Sequence, residues 1–202
     1  MLPQALENVV NAIGRLPGVG SRTAERYAYF LLKSDPKVAK TLAKSLDSLH
    51  AGIKTCPKTF ALISSDETLS SLYTDPTRDK SVVLVVEEPL DIIAIEKTHS
   101  FQGTYHVLGG VLSPIDGVEP KDLHIKELLK RVVDDVVHEI IIATNASVEG
   151  ESTAIFLQKA IRKGNQAVKV SRLARGIPIG VDLEYTDQIT LTHALNGRTN
   201  YE

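Results

Sequence analysis

The chain has 202 residues, a net charge of −2 and a single cysteine, Cys56. That length suits one generous domain or two small ones, and a lone thiol excludes an internal disulfide framework, in keeping with a reducing compartment. No apolar run approaches the ~20 residues of a membrane span, and Met1-Leu2-Pro3-Gln4 starts no signal peptide. The expectation is a soluble cytoplasmic protein with no membrane partner.

Leu2, Leu6, Val9, Val10 and Ile13 recur at helical spacing, and after an interruption from Gly14 to Gly20 the period resumes in Ala24, Tyr27, Ala28 and Leu31. The pattern predicts two helices across a turn, Leu16-Pro17-Gly18-Val19-Gly20-Ser21. Its glycines suit positive φ or close backbone approach, and Ser21 is the expected N-cap. Val38, Leu42, Leu46, Leu49 and Ile53 predict a third helix. Residues 1–54 hold eight Lys/Arg against four Asp/Glu, which leaves −6 for the remainder. A polyanion site is therefore expected here.

The turn resembles the helix-hairpin-helix nucleic-acid motif, in which glycine-loop N–H groups and a helix N-terminus meet a phosphate. Arg22 and Arg26 are spaced i, i+4, and Lys33 falls on nearly the same face. With Arg15, Gly18 and Gly20 they make the candidate DNA-binding set. An ordinary hairpin with a solvated basic face, Arg22 pairing with Glu25 or Glu7, is the alternative.

Cys56-Pro57-Lys58-Thr59 begins a knuckle-like segment that closes before Asp75-Pro76-Thr77-Arg78-Asp79. Thr59, Ser70 and Tyr73 stand where three more thiolates would complete a zinc site, and structural zinc requires four Cys or His ligands. No zinc is expected. Packing of Phe60, Leu62, Ile63, Leu69, Leu72 and Tyr73 must then hold the segment, with Cys56 a buried thiol outside any electropositive setting.

Val82-Val83-Leu84-Val85-Val86 reads as a strand buried on both faces, ended by Glu87. A helix is predicted from Pro89 to about Lys97. Further strands are expected at Tyr105–Leu108, Ile140–Ala143 and Ala167–Val170, with helices at about 122–133 and 152–163. This alternation predicts an α/β fold with a mostly parallel sheet. Glu87, the Gly109-Gly110 pair, the 113–117 loop and the 143–151 loop should gather beyond the strands' carboxyl ends, where such sheets bind ligands. His106, inside an apolar strand, is expected to be a hydrogen-bonded core residue without a catalytic part.

Ala143-Thr144-Asn145-Ala146-Ser147-Val148-Glu149-Gly150-Glu151 resembles the Toprim loop of topoisomerases and primases, Asp-x-Asp-x-x-Gly, with Asn145 and Ser147 in place of both aspartates and Gly150 retained. Mg²⁺ prefers anionic oxygens, and a two-metal strand reaction needs a clamp on the attacking and leaving oxygens. Only Glu87, Glu149 and Glu151 remain to build one, enough at most for a weakly held Mg²⁺ at Glu87 and Glu149. Binding without cleavage is expected, and no catalytic residue is assigned.

Beyond Ser171-Arg172-Leu173-Ala174-Arg175-Gly176-Ile177-Pro178, the alternation of Val181, Leu183 and Tyr185 with Asp182, Glu184 and Thr186 suggests an edge strand or a swapped arm. Asp182 and Asp187 suggest a nucleotide–metal site, but no Gly-x-x-x-x-Gly-Lys-Ser/Thr loop accompanies them.

Together the Leu16–Gly20 hairpin, the knuckle, Val86-Glu87-Glu88-Pro89, Tyr105-His106-Val107-Leu108-Gly109-Gly110, Ala143-Thr144-Asn145 and Arg172–Pro178 resemble the bacterial RecR family over essentially the whole chain. The resemblance implies a helix-hairpin-helix bundle at 1–54, a degenerate zinc finger at 55–79, a Toprim core at 80–172 and a C-terminal oligomerisation arm at 173–202. It implies a non-enzymatic recombination mediator of the nucleoid, a ring-like tetramer or dimer of dimers on gapped DNA. Such a mediator acts with RecO and RecF to load RecA. By position Arg22 and Arg26 match the family's DNA contacts, and Glu87, Asn145, Glu149 and Glu151 its partner-binding face. The alternatives from the residues are a Mg²⁺-dependent Toprim nuclease or topoisomerase-like enzyme and a protein scaffold without DNA affinity. The absent zinc ligands, and Val181 where a second glycine is usual, are departures.

Overall fold

A computed structural model describes residues 2–199. They divide into two compact units: residues up to 54 together with 64–66, and residues 55–63 together with those from 67 onward.

The first unit is helical, with α1 (Gln4–Ile13), α2 (Ser21–Lys33) and α3 (Pro36–Gly52). Asp35 caps α3 by accepting from the Lys37 N–H at 2.9 Å, and Pro36 occupies the first helical position, where its missing N–H costs nothing. Helices α1 and α2 meet closely at Gly14, where a Cβ would stand 3.2 Å from the Val10 carbonyl and 3.7 Å from the Ala24 Cβ. The connecting turn reverses through Gly18, at φ +78°. Gly20 is extended, at φ −78°, and it, not Ser21, is the N-cap of α2, with no side-chain capping bond. The expected Ser21 cap is therefore corrected: the chain enters the helix one residue earlier.

The chain passes into the second unit through a two-stranded ribbon of β1 (Ile53–Thr55) and β2 (Leu62–Ser64). A short helix, α4 (Ser71–Thr74), precedes the core. There β3 (Asp79–Val86), β4 (Gly103–Val107), β5 (Glu139–Ala143) and β6 (Lys169–Arg172) form a parallel sheet in the order β4-β3-β5-β6. Alternation along β3 assigns its two faces: Val83 and Val85 pack with Leu128, Val132, Leu157 and Ile161, whereas Leu84 and Val86 pack with Ala61, Ile92 and Tyr105. So α6 (Ile125–Asp134) and α7 (Val148–Gly164) cover one face, and α5 (Pro89–Glu96) with the knuckle covers the other. The fold is the expected α/β arrangement with a parallel sheet.

Several boundaries move. Helix α7 starts at Val148, not 152, because Ser147 caps it by accepting from the Gly150 N–H at 3.0 Å. Strand β6 lies two residues later than expected, in register with β5 from Glu139↔Lys169 to Ile142↔Arg172. The alternating segment at 181–186 forms no strand among the described residues. It makes a 3-10 turn, Leu183–Tyr185, followed by α8 (Gln188–Asn196). Asp187 caps α8 through the Ile189 and Thr190 N–H groups and accepts from the Thr190 hydroxyl, which commits it to structure rather than to a metal. Leu62, expected to pack, is 51% exposed.

Candidate functional site

In the helical unit, Arg15, Gly18, Gly20, Arg22, Arg26 and Lys33 are all exposed. Among the described residues none of the four cations forms an ion pair, so the alternative pairing of Arg22 with Glu25 or Glu7 is not made. Lys33 instead lies 5.0 Å from the Tyr29 ring centroid, a cation–π contact that leaves its charge available. Arg26 borders an apolar recess with Leu6, Val10 and Tyr29. Gly20 supplies no side-chain cap to the first turn of α2, where the positive end of the helix dipole lies. Arg15, Arg22 and the first turn of α2 thus share this end of the hairpin.

In the second unit the carboxyl ends of β3 and β5 bring together Glu87 and the turn before α7. Glu87 is 8% exposed, and Asn145 holds both of its oxygens: the backbone N–H donates to Oε1 at 2.7 Å and the Nδ2 amide donates to Oε2 at 2.6 Å. The Glu87 carbonyl accepts from the N–H groups of Gly109 and Gly110, which the positive φ of both glycines makes possible. Gly150 completes the enclosure. A Cβ there would lie 2.3 Å from the Asn145 carbonyl oxygen and 3.0 Å from Glu87 Oε1, so only glycine lets α7 start this close.

Glu151 is committed elsewhere. Its Oε2 lies 2.6 Å from both Arg172 Nη1 and Arg175 Nη2, tying α7 to the end of β6 and the segment beyond. Burial raises its pKa, but the Arg175 and Arg172 guanidinium groups outweigh that and hold the carboxyl below the usual range. Arg172 also donates to Thr144, whose hydroxyl donates to the Gly150 carbonyl. Of the three acids expected here, Glu149 alone makes no ion pair or side-chain hydrogen bond among the described residues.

This donor set does not fit Mg²⁺. A divalent cation needs open anionic oxygens, and Glu87 and Glu151 are each already doubly engaged. The knuckle does not fit zinc either. Cys56 Sγ accepts from the Ser70 N–H at 3.3 Å, and Tyr73 directs its hydroxyl to Asp135. No group of three His, Cys, Asp or Glu that could hold a metal occurs among the described residues.

Cys56 has no cation among the causes of its pKa shift, yet its pKa is below the ordinary thiol value. The thiol is fully buried, and burial raises its pKa, yet the Thr59 hydroxyl and the backbone donors of Lys58, Ser70 and Thr59 outweigh that and lower it. The cause is hydrogen bonding and not neighbouring cations. His106 is fully buried, with Nε2 2.8 Å from the His124 carbonyl, and burial lowers its pKa to about 3. It is the neutral core histidine that its strand position implies.

Three family models match in succession: the RecR helix-hairpin-helix at residues 6–50, the Toprim domain at 81–174 and the RecR C-terminal region at 176–199. The recombination protein RecR of Moorella thermoacetica is 48% identical over 200 residues, covering 99% of this chain and 98% of that protein. The chain belongs to the RecR family. RecR of Streptomyces avermitilis is 45% identical over 98% of each chain, and RecR of Cutibacterium acnes 46% identical over 96% of this chain and 94% of its own. Membership in RecR gives the protein a role in recombinational DNA repair, and the helix-hairpin-helix match points to DNA binding. The relatives' names denote recombination proteins and no enzymatic activity. No helix among the described residues is long and apolar enough to cross a membrane.

Three features of the site escape sequence reading. The Glu151–Arg172–Arg175 cluster joins residues more than twenty positions apart, and its one visible signal was the paired arginines of Arg172-Leu173-Ala174-Arg175. Gly150 matched a motif, but its contact with Glu87 depends on the register of β3 and β5. Arg131 on α6 and Asp135, its C-cap, sit i, i+4 and look like a surface pair, yet both side chains are buried.

Proposed function

We propose that the protein is a non-enzymatic DNA-binding mediator that encircles or bridges gapped DNA as a homo-oligomer, a tetramer or dimer of dimers. In this reading it acts with RecO and RecF to place RecA on the single strand, in the bacterial cytoplasm at the nucleoid. Residues 1–54 bind DNA, 55–79 form the finger, 80–172 the Toprim core and 173–202 the oligomerisation arm.

The observation that carries the reading is the grip of Asn145 on Glu87. A carboxylate satisfied by amide donors needs no cation, and without one the clamp on a scissile phosphate has no counterpart. Arg15, Arg22, Arg26 and Lys33, with the first-turn N–H groups of α2, supply sequence-independent phosphate contacts. A few such contacts bind weakly, and linking several hairpins in one oligomer strengthens them through effective concentration. Oligomerisation is supported by the apolar faces left open: Leu42, Leu46 and Leu49 on α3, and Ile189 and Leu195 on α8, are each at least 45% exposed. On the Toprim face a partner would meet Asn145 and Glu149, because Glu87 and Glu151 are internally held and serve to shape that surface.

The test is the mass of the purified protein alone and with gapped DNA, read beside a plasmid-nicking assay in Mg²⁺. A defined oligomer that binds DNA and leaves it intact supports the mediator. Mg²⁺-dependent nicking abolished by Glu87→Gln supports the Toprim enzyme. Failure to bind DNA until RecO is added supports a scaffold.

A further inference from the structure

The knuckle closes on itself without the donors for a metal among the described residues. The Cys56 N–H donates to the Ala61 carbonyl at 2.8 Å and the Phe60 N–H to the Cys56 carbonyl at 2.9 Å, closing the loop. Phe60 stands at φ +60°, a left-handed conformation uncommon in a residue with a bulky side chain. Something other than a metal must hold this turn against its strain and against the entropy of a short, loop-rich segment.

The segment reaches the sheet and the two ends of α6 at three places. Thr59 offers its carbonyl to the Val107 N–H at 2.8 Å, extending the ladder beyond edge strand β4. Phe60 stacks on His124 with ring centroids 3.7 Å apart. The third place is electrostatic. Asp135 ends α6 with its side chain 7% exposed, and it accepts from the Tyr73 hydroxyl at 3.0 Å and pairs with Lys58 Nζ at 2.9 Å, both from the finger. Its second oxygen pairs with Arg131 Nε at 2.9 Å. Arg131, 2% exposed, uses its remaining nitrogens on the Tyr105 carbonyl and the Thr104 hydroxyl of β4.

We propose that the Asp135 carboxylate does for this finger what a metal ion does for others: it gathers Lys58 and Tyr73, from either side of the knuckle, and fixes them through Arg131 to the sheet edge. The polarity is inverted. A zinc finger converges anionic sulfurs on a cation, whereas here a cationic and a hydroxyl donor converge on an anion. Tyr73, its hydroxyl committed to Asp135, is then one of the two donors that hold the knuckle. Val136 follows at φ +52°, a costly conformation for a β-branched residue, and it turns the chain immediately after Asp135. The cluster also completes β4, an edge strand whose free carbonyl at Tyr105 is covered by Arg131 and not left to pair with another chain.

The test is hydrogen exchange across the full-length protein, comparing wild type, Asp135→Asn and Lys58→Met, with and without a zinc chelator. Asp135→Asn should accelerate exchange at the amides of 56–61 and 70–74 on the order of tenfold or more, as when one partner of a buried ion pair is removed, while α7 and β5 keep their rates. Lys58→Met leaves the Arg131–Asp135 pair intact and should loosen the same amides less, which keeps the test informative if Asp135→Asn does not fold. Chelator should change nothing. Wild-type exchange rates in the finger of both variants, loosening spread evenly over the protein, or finger exchange that rises with chelator would each overturn the proposal.

Discussion

Asn145 donates to both oxygens of Glu87, at 2.7 and 2.6 Å, and so occupies the carboxylate as a bidentate cation would. The amide differs from a metal in two respects: it brings no charge and no open coordination position. Replacing it with aspartate turns two donors into one and sets an exposed carboxylate against the buried one of Glu87. Asn145→Asp should therefore lower stability by about 1–3 kcal/mol at neutral pH, since the buried Glu87 carboxylate loses one hydrogen bond and gains a like charge beside it. Millimolar Mg²⁺ should restore part of it, since two carboxylates make the site that one lacked. Denaturant midpoints with and without Mg²⁺ measure both effects, and a variant as stable as wild type would contradict the account of the pocket.

Gly150 gives a second prediction. Alanine favours a helix over glycine by about 1 kcal/mol, so propensity alone forecasts a more stable protein. The Cβ would meet the Asn145 carbonyl at 2.3 Å, however, and that atom belongs to backbone held by Glu87. Gly150→Ala should destabilise by roughly 1–3 kcal/mol, as overpacked sites do, and displace Asn145. Urea unfolding decides the sign, with Gly164→Ala in the same helix as the control, since nothing lies within 4 Å of a Cβ there.

The double substitution Arg22→Ala, Arg26→Ala separates binding from folding. Neither residue is in an ion pair among the described residues and both are exposed, so stability should stay within about 0.5 kcal/mol. On duplex DNA each lost phosphate contact reduces the log–log salt slope by about 0.9. A slope lower by up to about 2, with unchanged melting, is the expected result. An unchanged slope would move the interface away from α2.

The sheet was readable because its strands are buried on both faces: Val82–Val86 and Ile140–Ala143 are apolar without alternation, and helices of clear period separate them. Boundaries slipped where capping decided them. Ser147 accepts from Gly150 and pulls the first turn of α7 into what read as loop. In the arm only the strand option fails: Val181, Leu183 and Tyr185 alternate as a strand would, while Asp187 and its bonds to residues 189 and 190 commit the chain to a helix just beyond. Site residues were legible as types, since Glu87 and Asn145 stand in recognisable motifs. Their pairing was not, because it depends on β3 and β5 ending at the same level, from Val82↔Glu139 to Val86↔Ala143.

The Asp135 cluster makes the last prediction, a dependence of finger stability on pH with two limbs. Facing Asp135 are Lys58, Tyr73 and Arg131. Asp134 lies 3.6 Å from Lys58, and Lys80 sits over the Tyr73 ring. Burial raises the Asp135 pKa, but hydrogen bonds from Lys58 and Arg131 and the Arg131 charge outweigh it, and the carboxyl is lowered in the folded protein. A depressed acid contributes stability above its unfolded pKa of about 3.9 and loses it as pH falls through the lower folded value. Lys58 moves the other way. Burial lowers it, Asp135 outweighs that and raises it, so its contribution is complete below about 10.4 and lost as pH rises through the folded value. Finger protection should thus be flat across neutral pH, fall in acid below about pH 4 and fall again in strong alkali. Asp135→Asn should remove the acid limb and Lys58→Met should weaken the alkaline one, where Tyr73, raised by burial and Asp135, also titrates. Exchange of the 56–61 amides followed against pH reads both limbs, and an acid limb that survives in Asp135→Asn would assign it to another carboxylate.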